Sequence, residues 1–299
     1  MLLARLAPPL FVVIWATGFV VARAVVPHSD PWTFLVLRYA LAISALSVFA
    51  FLVRAPWPRG SMEWFNALVA GILLHGFYLG GVFFAVKHGL PAGIAALISS
   101  LQPLATGVLV GPLLGERVTP RRWVGIAVGL TGAILVVLPG LLAAEGFTIF
   151  PVFACLIAML SITLGTIWQK RTGGGGDLRT QTVVQYLGAI AITLPAALLV
   201  EEGRFDLVFP AIAGLLWAVF GLSIGAIGLL LYLIRRGAVA GIATLLYLVP
   251  PVSALMAFFL FGETLTLIQI SGMAVAALGV AVANRPDQVT TNRGSTAAR

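Results

Sequence analysis

Hydrolytic and redox chemistry each demand particular residues at particular spacing, and this chain lacks most of them. Histidine occurs only at His28, His75 and His88, so no H-E-x-x-H pair exists to bind a hydrolytic zinc. Cys155 is the single cysteine, which excludes an internal disulfide and leaves no thiolate set for a metal. An aspartyl mechanism needs two neighbouring carboxylates, and the ten acidic residues all fall at the ends of apolar runs, in loops or in the tail. A serine nucleophile beside His75 has no motif behind it. The sequence therefore predicts no catalytic residue, no cofactor and no metal site, and an intramembrane enzyme is the weakest of the readings. What remains is binding chemistry. The stretch ALISSLQPLATG, residues 96–107, carries Ser99, Gln102 and Thr106 at i, i+3 and i+7, one face of a helix. Polar groups on an apolar helix belong against protein or water rather than lipid. Pro103 removes a backbone hydrogen bond and predicts a break or kink beside them. The matching feature is Pro250-Pro251, preceded by Thr244 and Tyr247. Aromatic and polar residues on other segments are expected at the same depth: Trp15, His75, Tyr78, Trp217 and Tyr232. Apart from Thr106, these twelve residues form the expected substrate site, the three prolines as helix breaks and the other nine as lining. A structural kink with helix–helix hydrogen bonds is the alternative.

The elements that must position these residues follow from composition. Of 299 residues, 60% are hydrophobic and 9% charged, against about 45–50% and about 25% in soluble domains. Mean hydropathy is +1.07. So few charges do not coat a soluble surface of this size, and lipid is the solvent for most of the chain. The net charge of +8 reads as loop arginines facing the cytoplasm rather than a nucleic-acid surface. A span needs roughly 20 apolar residues. Ten runs qualify, at 6–26, 32–53, 64–86, 90–113, 122–139, 147–169, 180–200, 208–234, 238–261 and 265–283. The first is of span length and has no clear small-residue cleavage site, so it reads as a retained helix. The tail from 285 to 299 is polar and is expected to be disordered and cytoplasmic.

Basic residues sort the loops. Of 18 Lys and Arg, all but Arg23, Arg38, Lys87 and Arg204 fall on one side of a ten-span arrangement, which puts both termini in the cytoplasm. Arg23 and Arg38 lie toward the outer halves of their helices and are expected to snorkel outward, or one of them to pair with Asp30, with contact to an anionic group as the lesser alternative. With no fixed charge expected inside the membrane, tight selection of cargo by charge is not expected.

The chain also repeats itself. Residues 92–103, AGIAALISSLQP, line up with 240–251, AGIATLLYLVPP. LRYALA at 37–42 lines up with VQYLGA at 184–189, which sets Gln185 where Arg38 stands. Two halves result, residues 1–140 and 141–284, of five helices each. Five is odd, so the second half would enter the bilayer inverted, a pattern of secondary transporters that bind substrate near the midplane between repeats. Gly125, Gly129 and Gly132, with Gly272, Ala276 and Gly279, read as packing surfaces that join helices 5 and 10.

The pattern of proline, then GE, then a glycine-rich helix occurs at 103–132 and again at 251–279. With WATGF at 15–19 and LRY at 37–39, it resembles the EamA repeat of the drug/metabolite transporter superfamily, and within it the YddG-type exporters of aromatic and other amino acids. The resemblance covers nearly the whole apolar region. It implies an all-α membrane protein of ten transmembrane helices, in two inverted five-helix repeats around a central cavity. It also implies a multi-pass protein of a bacterial inner membrane that exports small metabolites, amino acids above all, with other drugs or metabolites as the alternative cargo and a channel as the alternative mechanism. A monomer and a homodimer both fit. The missing intramembrane carboxylates predict facilitated transport, with a proton step through His75 as the minority reading.

Overall fold

The computed structural model describes residues 2–90, 95, 98–143, 149–172, 176–236, 243–261 and 265–283. The expected polar tail, Glu145, the second GE pair at 262–263 and the start of the fourth expected span lie outside them, as does the side chain of Arg23. The described residues are all-helical apart from one isolated bridge, Ser29 to Phe205. In chain order the helices are α1 Leu2–Val25, α2 Pro31–Leu52, α3 Ser61–Lys87, α4 Gln102–Leu114, α5 Pro120–Ala143, α6 Ile149–Thr172, α7 Leu178–Val200, α8 Phe209–Arg236, α9 Val249–Phe261 and α10 Leu267–Ala283. Seven stretches, covering α1–α3 and α5–α8, are long and apolar enough to cross a membrane, while α4, α9 and α10 are shorter apolar helices. Phe51, Leu199, Leu207, Phe209, Phe259 and Leu267 are each more than three-quarters exposed, a surface suited to lipid.

Local sequence explains where the helices begin and end. Pro31 starts α2 and Pro120 starts α5, positions where a missing N–H costs nothing. Asp177 caps α7 by accepting the Arg179 backbone N–H at 2.9 Å. Gly115, of the first GE pair, ends α4 with φ +70°, a conformation that favours glycine. The expected break at Pro103 lies one residue earlier than proline chemistry alone implies. Pro103 sits in the first turn of α4, so it starts that helix rather than bending it. Pro250 and Pro251 likewise open α9, after a 3-10 segment at Thr244–Leu248.

Two helices depart from α geometry. α3 is π-helical at Ile72–Phe77 and α8 at Ala218–Ala226, positions that the sequence repeat pairs. A π segment frees carbonyls from the α ladder, and side chains from neighbouring helices take them up. Tyr39 donates to the His75 carbonyl at 3.0 Å, Ser161 to the Leu73 carbonyl at 2.9 Å, and Tyr186 to the Ser223 carbonyl at 2.5 Å.

Packing follows the small residues. The glycines of α5 and α10 join these two helices as expected. A Cβ at Gly272 would stand 2.8 Å from the Val136 nitrogen, and one at Gly125 2.6 Å from the Ala283 Cβ. At Gly132 and Gly279 it would meet the backbone of Ala276 and of Gly129. α3 crosses α7 in the same way, Gly71 against the Gln185 backbone and Gly188 against Leu68. α2 also packs on α7, α4 on α6, and α1 on both α8 and α9.

Candidate functional site

The centre of the molecule is built from paired parts of the two sequence halves. Tyr39 of α2 and Tyr186 of α7, which the repeat aligns, stack with ring centroids 5.3 Å apart and planes at 15°. Each tyrosine holds a carbonyl in a π segment, Tyr39 that of His75 and Tyr186 that of Ser223. The residues before the tyrosines complete the exchange. Arg38 Nε donates to Ser223 Oγ at 2.7 Å, and Gln185 Oε1 lies 3.4 Å from His75 Nε2. The geometry is paired and the chemistry is not: residues 1–140 offer the Arg38 guanidinium and the His75 imidazole, and residues 141–284 the Gln185 amide and the Ser223 hydroxyl.

A cavity opens on the arginine side. Its lining includes Trp15 and Gly18 of α1, Arg38 of α2, Tyr78 and Phe83 of α3, and Leu222 of α8, and it holds about 640 Å³ of space, part of it open at the mouth. Trp15 and Tyr78 stack at 6.3 Å and 14°, which gives one wall a continuous aromatic face. The Arg38 side chain corrects the expectation that it snorkels outward or meets Asp30. It is 4% exposed and turned inward, while Asp30 takes Lys87 at 2.8 Å. An intramembrane charge lines the cavity, against the expectation that none would be fixed there.

Of the residues that the sequence nominates, Trp15 and Tyr78 line this cavity. The others stand elsewhere among the described residues. His75 is fully buried beside Tyr186, Tyr39 and Gln185. Ser99, Gln102 and Thr106 belong to the α4 region, which packs on α6, and Ser99 and Thr106 keep hydroxyls without partners. Thr244 and Tyr247 are fully buried in and near the 3-10 segment before Pro250 and Pro251, with Tyr247 against Gly129 of α5. Trp217 is 45% exposed and donates to Thr17 at 2.7 Å. Tyr232 lies under the Arg236 guanidinium at 4.8 Å. Sequence reasoning missed Arg38 and Ser223 as a pair. The available signal was an arginine two turns inside an apolar 22-residue helix, beside a tyrosine that the repeat duplicates.

Two polar regions lie away from the cavity. At one end of the bundle Glu201 accepts the Trp32 and Thr33 backbone N–H groups at 2.9 and 2.8 Å and the Thr33 hydroxyl at 3.0 Å. Lys87, Asp30, Arg204, Asp206 and His28 surround it. Burial pushes the Asp30 carboxyl up, but Lys87 and the Arg204 backbone N–H outweigh it and leave the group below its usual 3.8. Toward the other end, Gln185 donates to Gln169 at 2.8 Å, and Gln169 lines a small polar pocket with Glu63, Asn66 and Gln181.

Comparison with known proteins agrees with this geometry. The family model described as "EamA-like transporter family" matches residues 9–138 and 149–285. A protein of Salmonella typhimurium named "Probable amino-acid metabolite efflux pump" is 27% identical over 91% of this chain and 91% of its own. The "Uncharacterized inner membrane transporter YedA" of Escherichia coli K12 is 28% identical over 90% of this chain and 86% of its own. A solved crystal structure, 20% identical, superposes with a TM-score of 0.74 over 93% of this chain and 96% of that one, a likeness of fold alone.

Proposed function

This chain belongs to the EamA-like transporter family, and from that premise we propose that it is an alternating-access carrier exporting amino acids, aromatic ones included, across a bacterial inner membrane. The observation that carries the reading is the cavity between α1, α2, α3 and α8, apolar and aromatic on most of its wall with one buried guanidinium. Relatives named as amino-acid metabolite efflux pumps in Salmonella and Escherichia coli support the same cargo. The proposed architecture is ten transmembrane helices in two inverted repeats, residues 1–140 and 141–284, with both termini in the cytoplasm. Three observations support it: the reciprocal Tyr39–His75 and Tyr186–Ser223 bonds, the paired π segments, and the paired helix starts at Pro103 and Pro251. Carriers of this type place broken helices at the interface of repeats.

The proposed driving force is the gradient of the substrate itself. No carboxylate lines the cavity among the described residues, and His75 is turned toward Gln185 and two tyrosines instead. The test is counterflow in proteoliposomes. Labelled phenylalanine or leucine outside should accumulate transiently against unlabelled substrate inside, a behaviour of carriers and not of channels. Absence of saturable counterflow for any amino acid would overturn the reading. An imposed pH gradient, at clamped membrane potential and equal substrate, should produce no net accumulation. Accumulation abolished by His75→Gln in a folded variant would make the carrier proton-coupled.

A further inference from the structure

We propose that Arg38 is the carboxylate-binding residue of the central cavity, so that the cargo is an apolar-bodied carboxylate whose amino group is dispensable. This rests on the reading of the cavity as a transport site. Arg38 has five N–H donors, and Nε alone is taken among the described residues, by Ser223. No carboxylate among the described residues pairs with it. Three other described cations have such partners: Lys87 has Asp30, Arg179 has Asp177 and Arg204 has Asp206. A charge taken out of water without a counter-ion is costly, and intramembrane ionisable residues face interiors or pathways where the function compensates them.

The arginine is also held ready. Ser223 fixes Nε, and Tyr186 fixes the backbone of Ser223 in turn. The terminal amino groups of the fork are left for an acceptor at the cavity, and a guanidinium matches the two oxygens of a carboxylate. Around it stand Trp15, Leu74, Tyr78, Phe83 and Leu222, surfaces for an apolar or aromatic body. Nothing anionic stands among the described lining residues to require an ammonium group. The repeat mate of Arg38 is Gln185, which is taken up by His75 and Gln169, so the halves supply one anion anchor and not two.

The experiment is competition against tritiated phenylalanine counterflow by wild-type protein in proteoliposomes. 3-Phenylpropionate, which lacks the amine, should compete within about tenfold of phenylalanine. Phenethylamine and phenylalanine methyl ester, which lack the carboxylate, should compete about 10- to 100-fold more weakly, the loss expected when a hydrogen-bonded charge loses its partner. Arg38→Gln should remove this discrimination and Arg38→Lys should keep part of it. If Arg38→Gln does not fold, the wild-type competition decides alone. Equal competition by phenethylamine and phenylalanine, or none by 3-phenylpropionate, overturns the proposal. If wild-type protein moves neither phenylalanine nor any other amino acid, the transport reading fails by itself. Thermal stabilisation of purified protein then decides the site: stabilisation by 3-phenylpropionate but not by phenethylamine supports it, and any other pattern overturns it.

Discussion

Replacing Glu201 by Ala should destabilise the protein far more than its position at the end of a helix implies. Its side chain is 1% exposed. One carboxylate takes three hydrogen bonds from α2, two from the first free backbone N–H groups of that helix and one from the Thr33 hydroxyl. The Lys87 ammonium stands 3.9 Å away. A hydrogen bond to a charged group contributes about 1.5–3 kcal/mol, and a carboxylate at a helix N-terminus gains about 0.3–1 kcal/mol more from the dipole. The three bonds share one anion, and water enters after truncation, so they do not add. A net loss of about 2–4 kcal/mol is expected. Glu201→Gln should fall between the two, because its amide offers one acceptor and turns a donor toward a donor. The neighbouring Glu202→Ala is the control. That residue is exposed and should stay within about 0.5 kcal/mol of wild type. The assay is the midpoint of thermal aggregation in detergent, followed by fluorescence-detected size exclusion. Equal midpoints for the 201 and 202 variants would refute the reasoning.

Gly279→Leu should abolish monodisperse protein in the same size-exclusion assay, because the added side chain meets the Gly129 and Gly125 backbone; overpacking of a flexible core costs only about 1–3 kcal/mol, and here the obstacle is main chain. The Arg179 side chain, bonded to the Asp177 carboxylate, lowers its pKa below 3.8. That contribution is complete above 3.8 and is lost as pH falls through the lower folded value, so Asp177→Asn should cost stability at pH 7 and cost less and less below about 4, as read in thermal midpoints across pH. Cysteines placed at Arg59 and Arg171 in a Cys155→Ala background should label from the cytoplasm and one at Glu202 from outside; labelling of 59 and 202 from the same face would break the ten-span arrangement.

The apolar runs were legible because length and hydropathy alone define a span, and the ends of α2, α7 and α8 fall within two residues of those read from the sequence. The glycine contact between α5 and α10 was legible too, because small residues at helical spacing mark a face wherever the backbone stays α. The cavity was not. Expecting both His75 and Tyr78 to line one site assumes unbroken α geometry, and the π segment at 72–77 contains the one and ends just before the other. It turns His75 toward Tyr39 and Tyr186 while Tyr78 faces Trp15. The nine-residue π segment that begins after Trp217 separates Trp217 from Tyr232 in the same way, and Trp217 stays outside. A π segment has no compositional signal, since neighbouring hydroxyls from distant parts of the chain supply the bonds that permit it. Arg38 was misread for a related reason. Position in a helix tells how deep a charge begins, and the partner that draws it inward, Ser223, is 185 residues away.

The glycine contact between α5 and α10 also constrains how this sequence can drift. Where two side chains collide, a change in one is rescued by a smaller residue opposite. At Gly132 and Gly279 an added Cβ meets main-chain atoms, the Ala276 nitrogen and Gly272 oxygen in one case and the Gly129 nitrogen and Gly125 oxygen in the other. Every amino acid carries those atoms, so no second-site substitution opposite can make room. The lipid-facing positions such as Leu199 and Phe259 exchange freely among apolar types. A random library should therefore recover many sequences at the surface and, at these two glycines, no compensated pairs.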